Sequence, residues 1–324
     1  MYEAKTLVDH GPNGRFTFPE GTRWHEGRFW FSDLYTESVY SCEEDGSDVR
    51  IEASVPGTPV GLGWLPDGRL LIVAIDDRQL LRREHDGSLV VHADFAPHLQ
   101  SDGDAPNDMI VADDGTAYIG MLGFDPRAGA PFNPGPLLRV TPDGVVSAVS
   151  EPMYFPNGMA IIDGRTLVLA ESWGNRLSAF DIAKDGSLSE RRDWARLGEL
   201  PDTSDQTKVF DQLVAACDGI SEPDAEGAVW AADYTRPRAI RVVPGVGIVD
   251  EVRTSGGLHA YGATLGGADG RTLFLATTAA DTDPALRRSE PVGQIQVARV
   301  DVPAARVNNA RDKSEPRAYE RSDA

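Results

Sequence analysis

Glu26-Gly27-Arg28-Phe29-Trp30-Phe31 is the first of six copies of one phrase, in which an acidic residue and a glycine precede a short strand-forming run. The other five copies are residues 67–72, 114–119, 163–168, 226–231 and 269–274. Successive glycines of the phrase are 41, 47, 49, 63 and 43 residues apart. Such turns beside strands of period two are typical of β-hairpins, so the sequence predicts a repeat of hairpins.

A second phrase follows most copies and completes the repeat. Alternating strands at residues 79–83, 137–140 and 176–180 each lead into another Asp-Gly turn. Each repeat then holds about four strands, which is the size of a propeller blade. The sequence therefore predicts an all-β protein, a six-bladed β-propeller of four-stranded blades. A β-sandwich with coincidental turns is the alternative, and six ordered copies of two phrases disfavour it.

We expect residues 1–303 to form one propeller domain and residues 304–324 to form a flexible C-terminal tail, because the apolar periodicity ends there. The segment Thr6-Leu7-Val8 precedes the first repeat. It is predicted to complete the last blade and close the ring, since closure removes the exposed sheet edges.

Composition excludes several classes of protein. The 324 residues are 41% apolar, which suffices for a large core, and the net charge of −20 repels nucleic acid and anionic membranes. Cys42 and Cys217 are too few and too distant for a disulfide framework. With no apolar run of membrane-spanning length and no signal-like N-terminus, we expect a cytoplasmic protein without nucleic-acid or membrane partners.

The 63-residue step contains an insertion at residues 202–216. Within it, residues 205–214 carry apolar side chains at helical spacing and predict a short helix. The insertion leads directly to Asp218, so it is either part of a lid or a passive surface insertion. A second long connection, residues 124–136, is rich in Pro and Gly and is predicted to be a loop.

One oxygen-bearing side chain begins the first strand of four repeats. These residues are Glu20, Asn107, Asn157 and Asp218. Val60-Gly61 and Tyr261-Gly262 take the equivalent places in the other two repeats. Because the first strand of a blade is innermost, we expect the four side chains to point into one mouth of the central channel.

Two carboxylates and two amide oxygens suit one hard divalent cation, with Ca²⁺ favoured and Mg²⁺ or Mn²⁺ possible. Zn²⁺ or Fe²⁺ could also bind but more often recruit His or Cys. Taken singly, Pro-Asn-Gly and Cys-Asp-Gly are good turn sequences. Their common phase in the repeat favours the ligand interpretation.

Several stretches resemble the SMP-30/gluconolactonase/LRE (regucalcin-like) family over roughly residues 15–303. The stretches that carry the resemblance are residues 20–25, 106–109, 155–160, 218–220, 224–230 and 265–270. The resemblance implies a six-bladed propeller with one catalytic divalent metal in its channel. It implies Glu20, Asn157 and Asp218 as metal ligands, with Asp218 as general base, and Asn107 beside the metal, where it helps to bind substrate.

The chain departs from the family pattern at two positions near these residues. Ala105 stands where related aldonolactonases carry an arginine that holds sugar hydroxyls, and Cys217 replaces a common proline. The first departure disfavours a strongly hydroxylated lactone, and neither affects the metal ligands.

The function expected from these residues is metal-assisted hydrolysis of a small-molecule lactone, of sugar type or another, with Asp218 activating water. Three alternatives stay open: a phosphotriesterase-like hydrolase on the same scaffold, a metal-free condensing propeller like strictosidine synthase, and a non-catalytic ligand-binding propeller with a structural metal. A serine hydrolase is disfavoured, because the sequence contains no G-x-S-x-G elbow.

Five further residues lie near predicted strand starts or blade-top loops and are candidates for the wall of a substrate pocket. They are Met121, Tyr154, Trp173, His259 and Tyr261. Ordinary packing between blades is the alternative for each, and a lone histidine such as His259 is more often a hydrogen-bonded structural residue than a catalyst.

Overall fold

The computed structural model describes residues 2–281 and 283–306. Most of its strands form six four-stranded antiparallel sheets around a central channel, and the fifth sheet carries one extra strand. The predicted six-bladed β-propeller is confirmed.

The blades follow one another along the chain, and each runs from an inner to an outer strand. Blade 1 consists of Pro19–His25, Arg28–Asp33, Ser38–Cys42 and Arg50–Ser54. Blade 2 consists of Pro59–Trp64, Leu70–Ala74, Gln79–Arg83 and Leu89–Asp94. Blade 3 consists of Pro106–Val111, Ala117–Met121, Leu137–Val140 and Val146–Ala148. Blade 4 consists of Pro156–Ile162, Thr166–Glu171, Arg176–Asp181 and Arg192–Arg196. Blade 5 consists of Cys217–Ile220, Val229–Asp233, Arg238–Val243 and Gly247–Arg253. Blade 6 consists of His259–Gly266, Thr272–Thr278, Gln294–Arg299 and Lys5–Val8.

The six glycines of the repeated phrase all have left-handed backbone. They are Gly27, Gly68, Gly115, Gly164, Gly227 and Gly270, with φ between 65° and 89°. A side chain is strained in this region and glycine is not, so the glycine makes the tight turn between the first two strands of each blade possible.

The ring is closed in two ways. Each inner strand packs against the inner strand of the next blade, and that of blade 6 packs against that of blade 1. The N-terminal strand Lys5–Val8 pairs antiparallel with Gln294–Arg299 and becomes the outer strand of blade 6. The prediction that the first strand completes the last blade is confirmed.

Several short elements lie outside the four-stranded repeat. Tyr2–Glu3 adds a fifth, parallel strand to blade 5 through Val252 and Arg253. His10–Gly11 and Gly14–Arg15 form a small hairpin, and Pro284–Ser289 is a helix that precedes the third strand of blade 6. A 3₁₀ turn at Ala96–His98 follows blade 2.

The insertion contains the helix Gln206–Gln212, seven residues long, within the predicted range. Asp205 caps it, because its side chain accepts a hydrogen bond from the Lys208 amide. The predicted loop at residues 124–136 contains no helix and no named strand.

The core lies between adjacent blades, where apolar side chains of neighbouring sheets meet; Val39, Leu62 and Ile72, for example, are fully buried between blades 1 and 2. At the C-terminus, the Ala304 and Ala305 amides donate hydrogen bonds to the Gly270 and Pro223 carbonyls. The rest of the predicted tail, residues 307–324, lies outside the described residues. Within the described part of the chain, both helices are too short to cross a bilayer.

Candidate active site

The four predicted oxygen-bearing residues occupy equivalent places in four blades. Glu20, Asn107, Asn157 and Asp218 are each the second residue of an inner strand. In blades 3, 4 and 5 the ladder pairs the first residue, loses register, and resumes two residues beyond the oxygen-bearing one. These side chains therefore sit at β-bulges, which are sites where a strand can re-aim a side chain.

Glycines that follow these residues let the inner strands approach each other closely. A Cβ on Gly158 would lie 2.4 Å from the Asp218 carbonyl oxygen, and one on Gly21 would lie 2.0 Å from the Val60 carbonyl oxygen. Backbone of one blade thus lies against backbone of the next, which brings the starts of the inner strands together around the channel.

A buried carboxylate at the end of the second strand holds the approach to the inner strand in three blades. Asp33 accepts hydrogen bonds from the Thr17 and Phe18 amides at 2.7 and 3.3 Å. Glu171 accepts from the Tyr154 amide at 2.9 Å. Asp233 plays the same part in blade 5 by accepting from the Ala216 amide at 3.3 Å. These carboxylates position the backbone two or three residues before Glu20, Asn157 and Asp218.

The two predicted carboxylate ligands are buried and repel each other. Burial raises the pKa of Asp218 well above its usual value, and the charges of Glu20 and Asp108 raise it further. Burial first, and then the charge of Asp108, raises the pKa of Glu20 to about 8, while Arg127 opposes the increase. Like charges therefore disfavour the ionised forms of both carboxyls in the protein interior.

Asn157 links blades 4 and 5 at this point. Its Nδ2 donates to the Ser172 hydroxyl at 3.1 Å, and Ser172 donates to the Cys217 carbonyl at 2.6 Å. The Asn157 amide also lowers the pKa of the Asp218 carboxyl, against the larger effect of burial. Asn107 is buried at the equivalent place in blade 3, with 6% of its surface exposed.

The residues present fit a hard cation. Asn157 Oδ1 and Asp218 Oδ1 are buried without any hydrogen-bond partner. An unpaired buried oxygen is costly, and a coordinated cation would satisfy both oxygens and neutralise the repulsion with Glu20. Among the described residues, no three His, Cys, Asp or Glu side chains form a metal cluster, so a cation here would need amide oxygens together with carboxylates.

The predicted pocket-wall residues differ in exposure, since three of them are buried and two are partly exposed. Met121 is fully buried in the core beside Tyr261, which is 4% exposed. Trp173 is 2% exposed, whereas Tyr154 and His259 are partly exposed. His259 Nδ1 lies 2.7 Å from the Tyr234 carbonyl oxygen.

The insertion and the loop at residues 124–136 pack together over blades 3 to 5. Val209 and Leu213 of the insertion share one apolar cluster with Phe124 and Phe132 of the loop. Trp173 also belongs to this cluster. The two segments therefore form one cap beside the channel mouth.

Sequence reasoning missed Asp108, Arg127 and Tyr234. Asp108 directly follows Asn107 and pairs with Arg23 at 2.9 Å. Arg127 comes from the loop, and its charge reaches Glu20. Tyr234 accepts a hydrogen bond from Trp173 and is influenced by the charge of Asp218. Alignment of the residues that follow each second strand, where both Trp173 and Tyr234 stand, could have revealed Tyr234.

Comparison with known proteins gives a family match over most of the chain. The model of the SMP-30/Gluconolactonase/LRE-like region matches residues 18–279. A calcium-binding regucalcin from Agrobacterium tumefaciens is 19% identical, with a TM-score of 0.72, and the match covers 96% of this chain and 98% of that one.

Two further solved structures share the fold. A luciferin-regenerating enzyme is 18% identical over 94% of this chain and 98% of its own, with a TM-score of 0.72. A gluconolactonase from Xanthomonas campestris is 22% identical over 92% of this chain and 89% of its own, with a TM-score of 0.64.

Proposed function

The chain belongs to the SMP-30/gluconolactonase/LRE-like family, and we propose that it is a lactonase that uses a divalent cation held by Glu20, Asn157 and Asp218. The observation that carries the proposal is the pair of buried, unpartnered oxygens on Asn157 and Asp218 beside the Glu20 carboxylate. Two of the similar solved structures support the proposal, because one is a calcium-binding regucalcin and the other is a gluconolactonase. Ca²⁺ is the favoured ion, since all the donors are hard oxygens.

A cation held by Glu20, Asn157 and Asp218 would supply positive charge that polarises an acyl carbonyl and favours the negative charge that develops on its oxygen. In this proposal Asp218 takes a proton from the attacking water, whose oxygen forms a bond to the acyl carbon. The bond between that carbon and the ring oxygen breaks, and the ring oxygen leaves as an alcohol after it gains the proton. The products are one carboxylic acid and one hydroxyl group on the same molecule.

The remaining site residues orient the substrate. Asn107 lies beside the proposed ligands and offers an amide to the lactone. We propose Trp173, His259 and Tyr261 as the wall of the substrate site: His259 is partly exposed, whereas Trp173 and Tyr261 are buried and back the wall together with Met121. Desolvation by this wall strengthens the electrostatic interactions inside the site.

The proposal is tested by acid release from a panel of γ- and δ-lactones. Asp218→Asn and Glu20→Gln are expected to reduce kcat/KM at least a hundredfold, while Asp86→Asn, which alters an exposed turn carboxylate, keeps full activity. Full activity in Asp218→Asn would remove Asp218 as the base. Hydrolysis of phosphotriesters but of no lactone would favour the phosphotriesterase alternative, and binding without turnover would favour a ligand-binding propeller.

A further inference from the structure

Phe210 is an exposed aromatic ring at the edge of the proposed site. It lies on the helix Gln206–Gln212 and 40% of its surface is exposed. We propose that Phe210 makes the enzyme selective for lactones that carry an apolar ring or alkyl substituent, which packs against its face. This inference deepens the proposed function and rests on it.

The helix that carries Phe210 is fixed rather than loosely attached. Val209, the residue before it, is fully buried in the cluster formed by the insertion and the loop. At one end of the helix, Gln206 Nε2 donates to the Ala130 carbonyl at 2.6 Å. At the other, Asn175 Nδ2 donates to the Gln212 carbonyl at 2.9 Å. Phe210 is therefore held in place before a ligand arrives, which reduces the entropy cost of binding.

Phe210 continues an aromatic wall that leads to the carboxylates. Its ring centroid lies 5.2 Å from that of Trp173 and 6.2 Å from that of Tyr234. Tyr234 in turn stacks on Tyr261 at 5.9 Å with an angle of 9°. Tyr261 also packs against Phe18 at 4.5 Å, two residues before Glu20, and the charge of Asp218 acts on both tyrosines, so this row of rings leads to the starts of the inner strands.

The polar groups of this wall are largely engaged inside the protein. The Trp173 indole donates to the Tyr234 hydroxyl, and the Tyr261 hydroxyl donates to the Ala279 carbonyl at 3.2 Å. His259 is engaged with the Tyr234 backbone. The accessible part of the wall is therefore the exposed Phe210 ring and the partly exposed Tyr234, backed by the buried rings of Trp173 and Tyr261, and this surface suits an apolar substituent better than a row of sugar hydroxyls.

A strained backbone supports the same wall on the blade 4 side. Phe155, two residues before Asn157, has φ of 61° although it is bulky and not glycine. Its ring packs edge-on to Trp173 at 5.7 Å and to Phe124 at 6.0 Å. A bulky residue keeps this conformation only where its surroundings over-determine it, and such strain clusters at binding sites.

The test compares γ-phenyl-γ-butyrolactone with unsubstituted γ-butyrolactone. Loss of one ring contact in a binding pocket corresponds to roughly a five- to twentyfold change. We expect the wild type to have at least a tenfold lower KM for the phenyl lactone, and Phe210→Ala to remove most of that advantage without changing kcat for the unsubstituted lactone. Phe210→Leu should retain part of the advantage.

Leu200→Ala is the matched control, because Leu200 is also 40% exposed and precedes the same insertion outside the aromatic wall. It should keep the wild-type preference. Equal KM values for the two lactones in the wild type, or an unchanged preference in Phe210→Ala, would overturn the inference while the lactonase function stands.

Calorimetry with 2-phenyltetrahydrofuran, which has no carbonyl to hydrolyse, separates the two claims. Binding that weakens about tenfold in Phe210→Ala and not in Leu200→Ala supports the apolar subsite even if no lactone is hydrolysed. Binding no tighter than that of tetrahydrofuran would contradict the subsite.

Discussion

Gly158→Ala tests whether backbone contact between blades 4 and 5 sets the geometry of the site. The added Cβ would lie 2.4 Å from both the Asp218 carbonyl oxygen and the Ile220 amide nitrogen. Unstrained contacts of a carbon atom are at about 3.5 Å, so the two inner strands must separate by roughly 1 Å. All the nearest atoms are backbone, and they cannot rotate away as a flexible side chain would.

Overpacking of this kind costs about 3 kcal/mol, which corresponds to a decrease in Tm of about 6 °C for a chain of this size. The same shift separates Asn157 from Asp218, so we expect Ca²⁺ affinity to fall roughly tenfold to a hundredfold. Thermal unfolding without metal gives the first quantity, and calorimetric titration with Ca²⁺ gives the second.

Gly164→Ala is the matched control in the same blade. A Cβ on Gly164 meets no atom within 4 Å, and its only cost is the left-handed φ of 65°. The free energy of unfolding of Gly164→Ala should fall by about 1 kcal/mol, and the variant should bind Ca²⁺ like the wild type. The reasoning is refuted if Gly158→Ala keeps both the wild-type Tm and the wild-type Ca²⁺ affinity.

Three further outcomes are expected. Burial raises the pKa of the Cys42 thiol to about 12 and that of the Cys217 thiol further still. A thiol reagent at pH 8 should therefore label the folded protein far more slowly than the unfolded protein. Rapid labelling of the folded protein would contradict the burial of the two cysteines. Glu171→Ala removes the carboxylate that binds the buried Arg176 through two hydrogen bonds at 2.7 and 2.8 Å, and it leaves Asp193, at 4.0 Å, as the remaining opposite charge. Chemical denaturation should show a loss of about 3–5 kcal/mol, and a loss below about 1 kcal/mol would refute this. Ca²⁺ at about a hundred times its Kd should stabilise the wild type by about 2.7 kcal/mol, which raises Tm by roughly 5 °C. It should not stabilise Asp218→Asn, and an equal rise in the Tm of this variant would mean that the ion binds elsewhere.

The sequence predicts the fold well because each hairpin is specified locally. An Asp-Gly turn next to alternating apolar residues needs no distant contact to be recognised, and six copies define the ring. Lys5–Val8 could be assigned to blade 6 because an open ring leaves a bare edge. Tyr2–Glu3 was missed, since two residues carry no periodicity and their parallel pairing depends on where blade 5 ends.

The candidate ligands could be predicted because they share one phase of the repeat. The other residues of the site do not share that phase, so the repeat does not reveal them. Phe210 comes from an insertion, Arg127 from a loop and Tyr234 from a turn, and only the folded ring brings Phe210 against Tyr234 and lets the charge of Arg127 act on Glu20. Glu171 and the equivalent carboxylates of blades 1 and 5 look like ordinary strand-end residues until their hydrogen bonds to the preceding loops are seen.

The central claim, a lactonase that depends on a cation at Glu20, Asn157 and Asp218, is tested most directly by one titration. Protein freed of metal with a chelator is mixed with a γ-lactone, and acid release is followed while Ca²⁺ is added to known free concentrations. We predict negligible hydrolysis without metal and a rise to full rate that saturates at one ion per chain, with neither rise nor stoichiometric binding in Asp218→Asn. Hydrolysis at full rate in the metal-free protein, confirmed by elemental analysis, would contradict the claim.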